Sequence, residues 1–243
     1  MNIDGGEITF GNPRLYYIIM TLHEIYRFLI SYLYPNICPC CEKVIEHDED
    51  FCCKCKNKIT PFYDEFKIEY ADAFVSYCYY EGKIRYVLRK YNINPFGNTY
   101  YAFSFGIVQA LRRKQLTKGI EAVVYIPMTA EALKTRGYNQ VEYMADEVHH
   151  LLNIPVLPAL IKCKATKSQK SLGAAERRIN LKGAYGLAPQ VNVKGKTLLL
   201  IDDLCTTGST LSEAARVLKE AGASSVIAAS FAKTKNNEYT KST

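Results

Sequence analysis

The sequence lacks the glycine-rich patterns by which many nucleotide-binding proteins hold phosphate. No Gly-x-x-x-x-Gly-Lys-Ser/Thr loop occurs, and no Gly-x-Gly-x-x-Gly follows an apolar run. Both patterns place backbone N–H groups around phosphates at the start of a helix. Their absence argues against ATPase chemistry and against dinucleotide-dependent chemistry.

A long uninterrupted apolar run is also missing, and no secretory signal is evident. The apolar stretch at residues 15–34 has His23, Glu24 and Arg27 near its middle, where charge inside a membrane is costly. Its apolar residues have helical spacing instead: Leu15, Ile18, Ile19, Leu22, Tyr26, Leu29 and Leu33. We therefore expect an amphipathic helix within residues 1–35, no membrane span and a cytoplasmic location.

Acidic residues are scarce in one segment of a chain whose formal net charge is +7. Residues 162–196 contain nine Lys and Arg but a single acid, Glu176. Such an excess of basic residues favours an anionic partner, either a polyphosphate or a nucleic acid. A solvated surface loop is the alternative interpretation.

Cysteine, in contrast, is plentiful and clustered. Six of the nine cysteines lie within residues 37–59, and four of them form two Cys-x-x-Cys pairs, Cys38 with Cys41 and Cys52 with Cys55. Two such pairs supply the four thiolates of a tetrahedral structural zinc site. Because so short a segment cannot build its own apolar core, the metal would contribute much of its folding free energy. The spacing predicts a zinc ribbon at residues 36–60.

The ligand set of this ribbon stays open at three positions. Cys40 and Cys53 compete as ligands because each adjoins a predicted ligand, and His47 lies between the two pairs. A glycine often follows the second cysteine of such a pair, but Glu42 stands there. Disulfides or free thiols are the alternative, although clustered cysteines in a cytosolic protein favour a metal.

Residues 198–210 carry the strongest functional pattern in the chain. Four aliphatic residues at 198–201 predict a buried strand, and Asp202 and Asp203 follow it. A small, hydroxyl-rich turn comes next, consisting of Thr206, Thr207, Gly208, Ser209 and Thr210. A helical pattern then starts at residue 211, and a strand, turn and helix in this order aim backbone N–H groups at an anion. Because the carboxylates can accept from vicinal hydroxyls or hold a divalent cation, this turn could hold a sugar by its hydroxyls and its phosphate together.

Alternating strand and helix patterns predict an α/β fold with a mainly parallel, helix-covered sheet. Strands are expected at residues 73–80, 122–126, 156–161, 198–201 and 225–231, and helices at 83–91, 100–114, 138–153 and 211–221. Residues 162–180 have poor periodicity, which predicts a mobile loop. We expect a linker at 61–70, a single domain over 71–235 and a disordered tail at 236–243. Because ligands bind beyond the carboxyl ends of such strands, the acid pair is expected to lie in the binding site.

The segment around the acid pair resembles the phosphoribosyl pyrophosphate (PRPP) signature of type I phosphoribosyltransferases. The resemblance implies that Asp202 and Asp203 bind the 2′- and 3′-hydroxyls of the ribose, and that the turn at 206–210 holds the 5′-phosphate. Cys205 departs mildly from this signature, which more often has an aliphatic or aromatic residue at that position. An ordinary βα turn, whose Ser and Thr merely cap a helix, is the alternative.

The order of features resembles the ComF (late competence) family, in which an amino-terminal helix and a four-cysteine zinc ribbon precede a phosphoribosyltransferase domain. The resemblance covers roughly residues 13–235. Three further stretches carry it in the expected order: Arg-Lys-Tyr at 89–91, Arg-Gly-Tyr-Asn-Gln at 136–140, and the spaced set Gln169, Leu172, Arg177, Asn180, Ala184 and Tyr185.

The resemblance implies roles for several of these residues. Arg136 and Gly137 fall where the fold family places a loop for the pyrophosphate, while Gln169 and Arg177 fall in the hood loop that covers the site. Lys90 is implied as a further PRPP ligand, and magnesium would accompany the pyrophosphate. In a catalytic protein, Arg136 and magnesium would neutralise the leaving pyrophosphate, while the acid pair, residues 202 and 203, would position the ribose.

Three functions stay open at this point. The first is a protein that binds Mg–PRPP and acts in natural competence, the uptake and handling of incoming DNA. The second is a non-catalytic nucleic-acid-binding or adaptor module, and the third is a nucleobase-salvage phosphoribosyltransferase. The implied partners are PRPP or a related phosphoribosyl ligand, single-stranded DNA, and a competence helicase or translocase. Because the sequence shows neither a general base nor an acceptor-binding motif, it leaves the acceptor undetermined.

Overall fold

The computed structural model describes residues 35–46, 48–91, 99–163 and 181–235. The predicted amino-terminal helix, His47 and the predicted tail lie outside these residues, as do Gln169 and Arg177 of the expected hood loop. Among the described residues, no helix combines the length and apolar character needed to cross a membrane.

The described part of the α/β domain contains two sheets. The strands are β1 (Ala73–Tyr79), β2 (Ala122–Tyr125), β3 (Leu160–Lys162), β4 (Tyr185–Leu187), β5 (Thr197–Cys205) and β6 (Ser225–Lys233). The larger sheet has the order β1-β6-β5-β2 with every pair parallel, and β3 pairs antiparallel with β4. The predicted mainly parallel α/β fold is confirmed.

Helices cover both faces of the larger sheet. The described helices are α1 (Cys53–Lys56), α2 (Gly82–Tyr91), α3 (Thr99–Arg113), α4 (Ala130–Arg136), α5 (Gln140–Leu152) and α6 (Ser209–Glu220), of which α2, α3, α5 and α6 contribute buried residues to the cores on the sheet. Alternate residues of β5 enter two different cores, since Leu199 packs with α2, α3 and α5 whereas Leu200 packs with α6. This burial on both faces explains why the central strands are almost continuously apolar.

The cysteine-rich segment shares a core with the α/β domain. Phe51 is 1% exposed and stacks on Phe231 of β6 with ring centroids 6.4 Å apart. Phe231 in turn stacks on Phe103 of α3 at 4.0 Å. The Tyr101 hydroxyl of α3 also donates to the backbone carbonyl of Asp48 at 3.2 Å. The ribbon segment is therefore held by both apolar packing and hydrogen bonds.

Several predicted elements differ from the structure. Strand β5 continues to Cys205, so Asp202 and Asp203 lie inside the strand instead of after it. The cause is the partner strand, because β6 runs on beside it and pairs Asp202 with Ser230. The strand expected at 156–161 is shorter and later, at Leu160–Lys162, and helix α4 at Ala130–Arg136 was not predicted.

Candidate functional site

The carboxyl ends of three neighbouring strands meet at one edge of the larger sheet. In the register of the sheet, Lys233 of β6 pairs with Cys205 of β5 on one side and with Tyr79 of β1 on the other. Strand β2 ends beside β5 at the pair Tyr125 and Ile201. Ligands of parallel α/β sheets bind beyond this edge, so the side chains that follow these strand ends form the candidate site.

Asp202 and Asp203 are both buried near this edge, with relative exposures of 8% and 9%. The Asp203 N–H donates to Asp202 Oδ1 at 2.9 Å. Burial raises the pKa of Asp202 well above its usual value, and the neighbouring Asp203 carboxylate raises it further. The ionised form of the acid pair is therefore unfavourable in the unliganded protein. A divalent cation, or hydrogen bonds from the hydroxyls of a sugar, can stabilise it.

Two elements place further titratable groups near these carboxylates. Burial lowers the pKa of Lys162 in β3, and the negative charge of Asp202 opposes that change. Burial also raises the pKa of Tyr91 in α2, and the charge of Asp203 adds to the effect. Tyr91 is held in place because its hydroxyl donates to the Gln140 carbonyl at 2.9 Å. Neither residue was predicted, since both lie far from the acid pair along the chain.

The turn at residues 206–210 leads directly into α6, which begins at Ser209. Gly208 stands just before the helix with φ of +82°, a left-handed conformation that favours glycine. The hydroxyls of Thr207 and Ser209 lie 2.8 Å apart. The first N–H groups of a helix have no partner within the helix, and α6 presents them beside these hydroxyls. This arrangement can bind a phosphate.

A buried lysine anchors the start of this turn. Lys233 is 1% exposed, and its Nζ donates to the carbonyls of Thr206 at 2.9 Å and Thr234 at 2.7 Å. The Thr234 hydroxyl also donates to the Thr206 carbonyl, at 3.2 Å. This anchor was not predicted from the sequence, although a lysine at the end of the apolar run of β6 is a signal for it.

A methyl group at position 208 is expected to disable the turn. A Cβ on Gly208 would lie 2.5 Å from Ile68 Cδ1 and 3.2 Å from Phe66 Cε1. Gly208→Ala should therefore lower the free energy of unfolding by about 2 kcal/mol and weaken phosphate binding. Gly195→Ala is the matched control, because Gly195 has a φ of +74° but no atom near its Cβ position. Denaturant unfolding measures the free energy of unfolding of both variants. Equal losses of stability in Gly208→Ala and Gly195→Ala would refute the steric explanation.

The 136–140 stretch lies beyond the end of β2 and combines exposed and structural residues. Arg136 is exposed at the end of α4, and its Nη1 donates to Gln140 Oε1 at 3.1 Å. Gly137 ends that helix with φ of +84°.

Asn139 is buried, where its Nδ2 donates to the Ile126 carbonyl at 3.1 Å and its Oδ1 accepts from the Val141 N–H at 3.2 Å. Asn139 thus ties the stretch to the end of β2 and caps α5, while the pyrophosphate roles of Arg136 and Gly137 stay predictions.

Lys90 lies on α2 and pairs with Glu42 of the ribbon segment. The ion pair is largely exposed, with the lysine side chain 46% and the glutamate side chain 56% accessible. The contact therefore joins the ribbon segment to the domain, and the role of Lys90 in PRPP binding stays a prediction.

The sulfur atoms of Cys38, Cys41, Cys52 and Cys55 lie within 4.8 Å of one another. Sulfur ligands about 2.3 Å from a tetrahedral zinc ion lie about 3.8 Å apart, which this group fits. Each pair forms a tight turn: the Cys41 and Glu42 N–H groups donate to the Cys38 carbonyl, and the Cys55 N–H donates to the Cys52 carbonyl. These four residues can hold a metal ion.

The two competing cysteines are not part of this group of four. Cys53 is exposed, and burial raises the pKa of the Cys40 thiol to about 12. In contrast, a hydrogen bond from the Lys43 N–H is the main cause that lowers the pKa of Cys41 to about 7. Glu42, where a glycine was expected, adopts the left-handed φ of +61° that the turn requires.

In sequence, part of this chain is similar to the phosphoribosyl transferase domain. The family model of that domain matches residues 143–243, which include the acid pair and the turn. The chain is 36% identical over 117 residues to competence protein F of Haemophilus influenzae, covering 47% of this chain and 51% of that protein. It is 25% identical over 195 residues to DNA utilization protein YhgH of Escherichia coli K12, covering 79% of this chain and 81% of that protein.

The chain is a homologue of these two proteins, which confirms the resemblance seen in the sequence. It spans about half the length of competence protein F. Among solved structures, an adenine phosphoribosyltransferase aligns with 59% of this chain and with 74% of its own chain. The two are 10% identical over the alignment, and the TM-score is 0.40. Glutamine PRPP amidotransferase from Bacillus subtilis aligns with 55% of this chain and with 26% of its own chain, at 20% identity and a TM-score of 0.37.

Proposed function

We propose that this protein binds magnesium–PRPP, or a related phosphoribosyl ligand, at the sheet edge that carries Asp202 and Asp203. The observation that carries the proposal is a buried pair of carboxylates directly before a hydroxyl-rich turn at the start of a helix. The carboxylates supply acceptors for sugar hydroxyls, and the turn supplies donors for the 5′-phosphate. Ribose 5-phosphate derivatives, PRPP among them, combine two vicinal hydroxyls with a 5′-phosphate.

The arrangement supports displacement at the anomeric carbon of the ribose. In such a transfer the bond between C1 and the pyrophosphate oxygen breaks, and an acceptor atom that gives up a proton forms the new bond to C1. Magnesium, when bound, would neutralise charge on the pyrophosphate. The acid pair and the turn would hold the sugar in position, and Arg136 would assist the departure of pyrophosphate by pairing with it.

We also propose that the protein acts in the handling of incoming DNA. The names of its homologues, competence protein F and DNA utilization protein YhgH, support this role. The basic segment at 162–196 supports contact with single-stranded DNA. A competence helicase or translocase is the further partner that the family resemblance implies. The four-cysteine group would hold zinc, and the expected location is the cytoplasm.

Calorimetric titration with PRPP, with and without magnesium, tests the ligand assignment. Saturable binding that depends on magnesium is the expected result. Asp202→Asn should weaken this binding. Glu220→Gln is its matched control, because Glu220 is an exposed carboxylate at the far end of α6. Failure of PRPP to bind in either condition would overturn the assignment.

Two further measurements separate the alternatives. Steep salt dependence of DNA binding without release of pyrophosphate would favour the nucleic-acid-binding or adaptor module. Robust release of pyrophosphate with a free nucleobase would favour the salvage enzyme.

A further inference from the structure

An aromatic stack joins the cysteine-rich segment to the strand that ends at the candidate site. Phe51 directly precedes the predicted zinc ligand Cys52, is 1% exposed, and stacks on Phe231 of β6 at 6.4 Å. Phe231 is fully buried and also stacks on Phe103 of α3 at 4.0 Å and on Tyr77 of β1 at 5.7 Å. Because buried rings packed in this way leave one another little freedom, a displacement of Phe51 must change the packing of β6.

The same strand holds the phosphate-binding turn only two residues further on. Lys233 Nζ donates to the Thr206 carbonyl at 2.9 Å and to the Thr234 carbonyl at 2.7 Å. The Thr234 N–H donates to the Cys205 carbonyl at 3.0 Å. Side-chain and backbone hydrogen bonds from the end of β6 thus fix the first peptide groups of the turn. The position of β6 therefore affects how the turn presents its N–H groups to a phosphate.

A second connection leads from the ribbon segment to the same lysine. The chain that leaves the four cysteines runs antiparallel beside β1. There the Tyr79 N–H donates to the Thr60 carbonyl at 2.9 Å, and the Phe62 N–H donates to the Tyr77 carbonyl at 3.1 Å. In the register of the larger sheet, Tyr79 pairs with Lys233. The aromatic stack and this backbone pairing therefore converge on the end of β6.

The four-cysteine group supplies the two states that these contacts can transmit. Small metal-binding segments of this kind are commonly folded with their metal and unfolded without it. Loss of the metal would release Phe51 from Phe231, because the turn that starts at Cys52 sets the position of Phe51. The Lys90–Glu42 ion pair also joins the two parts, but it is largely exposed and contributes little. Coupling between two sites requires such an element, one with two arrangements that both sites favour differently.

We propose that zinc at the four cysteines and a phosphoribosyl ligand on the turn bind cooperatively, with Phe51 and Lys233 as the positioning residues between them. The metal-loaded ribbon holds Phe51 against β6, and Lys233 at the end of β6 holds the turn in the form that binds phosphate. Because linkage is reciprocal, each ligand tightens the binding of the other by the same factor. The identity of the ligand on the turn rests on the proposed function, whereas the connection between ribbon and turn does not.

Competition with a zinc chelator measures the zinc affinity of the full chain, with and without saturating Mg–PRPP. PRPP is expected to tighten zinc binding about tenfold, and zinc to tighten PRPP binding by the same factor. Zinc-loaded Phe51→Leu should bind PRPP several-fold more weakly, because leucine stays apolar but removes the ring stack. Phe105→Leu is the matched control and should bind PRPP like the wild type. Phe105 lies at the same seam, with its ring 5.8 Å from Lys56 Nζ, and packs on Tyr101.

Lys233→Met tests the coupling without a substitution in the ribbon segment. Methionine keeps an apolar stem but donates no hydrogen bond to the Thr206 carbonyl. PRPP should bind this variant more weakly and should no longer change its zinc affinity. In the double variant with Phe51→Leu, the losses of PRPP affinity should be less than additive, because both changes break one connection.

Hydrogen exchange of the zinc-loaded protein without ligand separates this proposal from the proposed function. The Ser212 N–H, which donates to the Gly208 carbonyl at 2.8 Å, and the Thr234 N–H report on the turn. If PRPP does not bind, the proposed function fails, and faster exchange of both groups in Phe51→Leu than in Phe105→Leu would still uphold the connection. Unchanged exchange in that case would overturn it. Where PRPP does bind, equal affinity for wild type and Phe51→Leu, or a zinc affinity that PRPP does not change, would overturn the coupling.

Discussion

Replacing Asp202 by asparagine is expected to stabilise the protein without ligand by about 1 to 2 kcal/mol and to weaken PRPP binding roughly 100-fold. Asparagine retains the Oδ1 atom that accepts from the Asp203 N–H, so the local hydrogen bond can persist. It removes a buried negative charge beside a second carboxylate, which is the charge that a bound cation or sugar would compensate. The same change should therefore improve the unliganded fold and damage the site.

The pH dependence of this effect has a definite sign. The pKa of Asp202 is raised in the folded protein, above the value of about 3.9 in an unfolded chain. Below about pH 4 the group is protonated in both states and has little effect on stability. As the pH rises from there towards the folded pKa, the unfolded chain ionises first, and the free energy of unfolding falls. The unliganded wild type should lose stability over this range, and Asp202→Asn should lack that loss.

Denaturant unfolding of both proteins at a series of pH values, with and without Mg–PRPP, measures these differences. The ligand should raise the stability of the wild type by mass action and leave the variant nearly unchanged. Glu220→Gln should behave like the wild type in every condition. Parallel pH profiles for wild type and Asp202→Asn would show that the buried charge does not govern stability.

If the four cysteines hold zinc, as we propose, removing it is expected to destabilise the whole folded unit instead of the ribbon alone. Cys38 and Cys55 belong to the same buried cluster as Phe103 and Phe231 of the domain. Structural zinc contributes an apparent 10 to 16 kcal/mol or so in isolated zinc-finger peptides, which is similar to the total stability of a domain, about 5 to 15 kcal/mol. Chelation should therefore lower the melting temperature substantially.

Hydrogen exchange with and without a chelator locates the effect. Exchange is expected to accelerate first over residues 37–59 and then in α3 and β6, because Phe51 packs on Phe231. Cys38→Ser should reproduce the loss, whereas Cys53→Ser and Cys163→Ser, at exposed cysteines outside the group, should not. An unchanged melting temperature, with faster exchange confined to the ribbon, would contradict the shared core.

Local patterns made several features of this protein predictable. The apolar run before Asp202 predicted the strand, because burial on both faces requires continuous apolar residues. The two Cys-x-x-Cys pairs predicted the group of four, because that spacing turns both sulfurs of a pair towards one point. Asn139 caps α5 by accepting from a backbone N–H only two positions away, which makes this cap a local feature of the sequence.

Features that depend on distant residues were not predictable. The end of β5 is set by pairing with β6, which keeps Asp202 inside the ladder opposite Ser230. The same pairing brings Lys233 to the Thr206 carbonyl, 27 residues away along the chain. Helix α4 was missed for a different reason. It is short and has no buried residue, so its sequence lacks the regular spacing of apolar residues that predicts a helix.

By itself the sequence determined the α/β class, the acid pair with its turn, and the two Cys-x-x-Cys pairs, because each rests on spacing within a few residues. Only the tertiary structure decided that the ribbon shares the core of the domain, that Lys90 pairs with Glu42, and that Lys233 holds the start of the turn. Those features arise where separate segments pack against one another. Spacing along the chain carries no record of such contacts, because burial and register are properties of the folded whole.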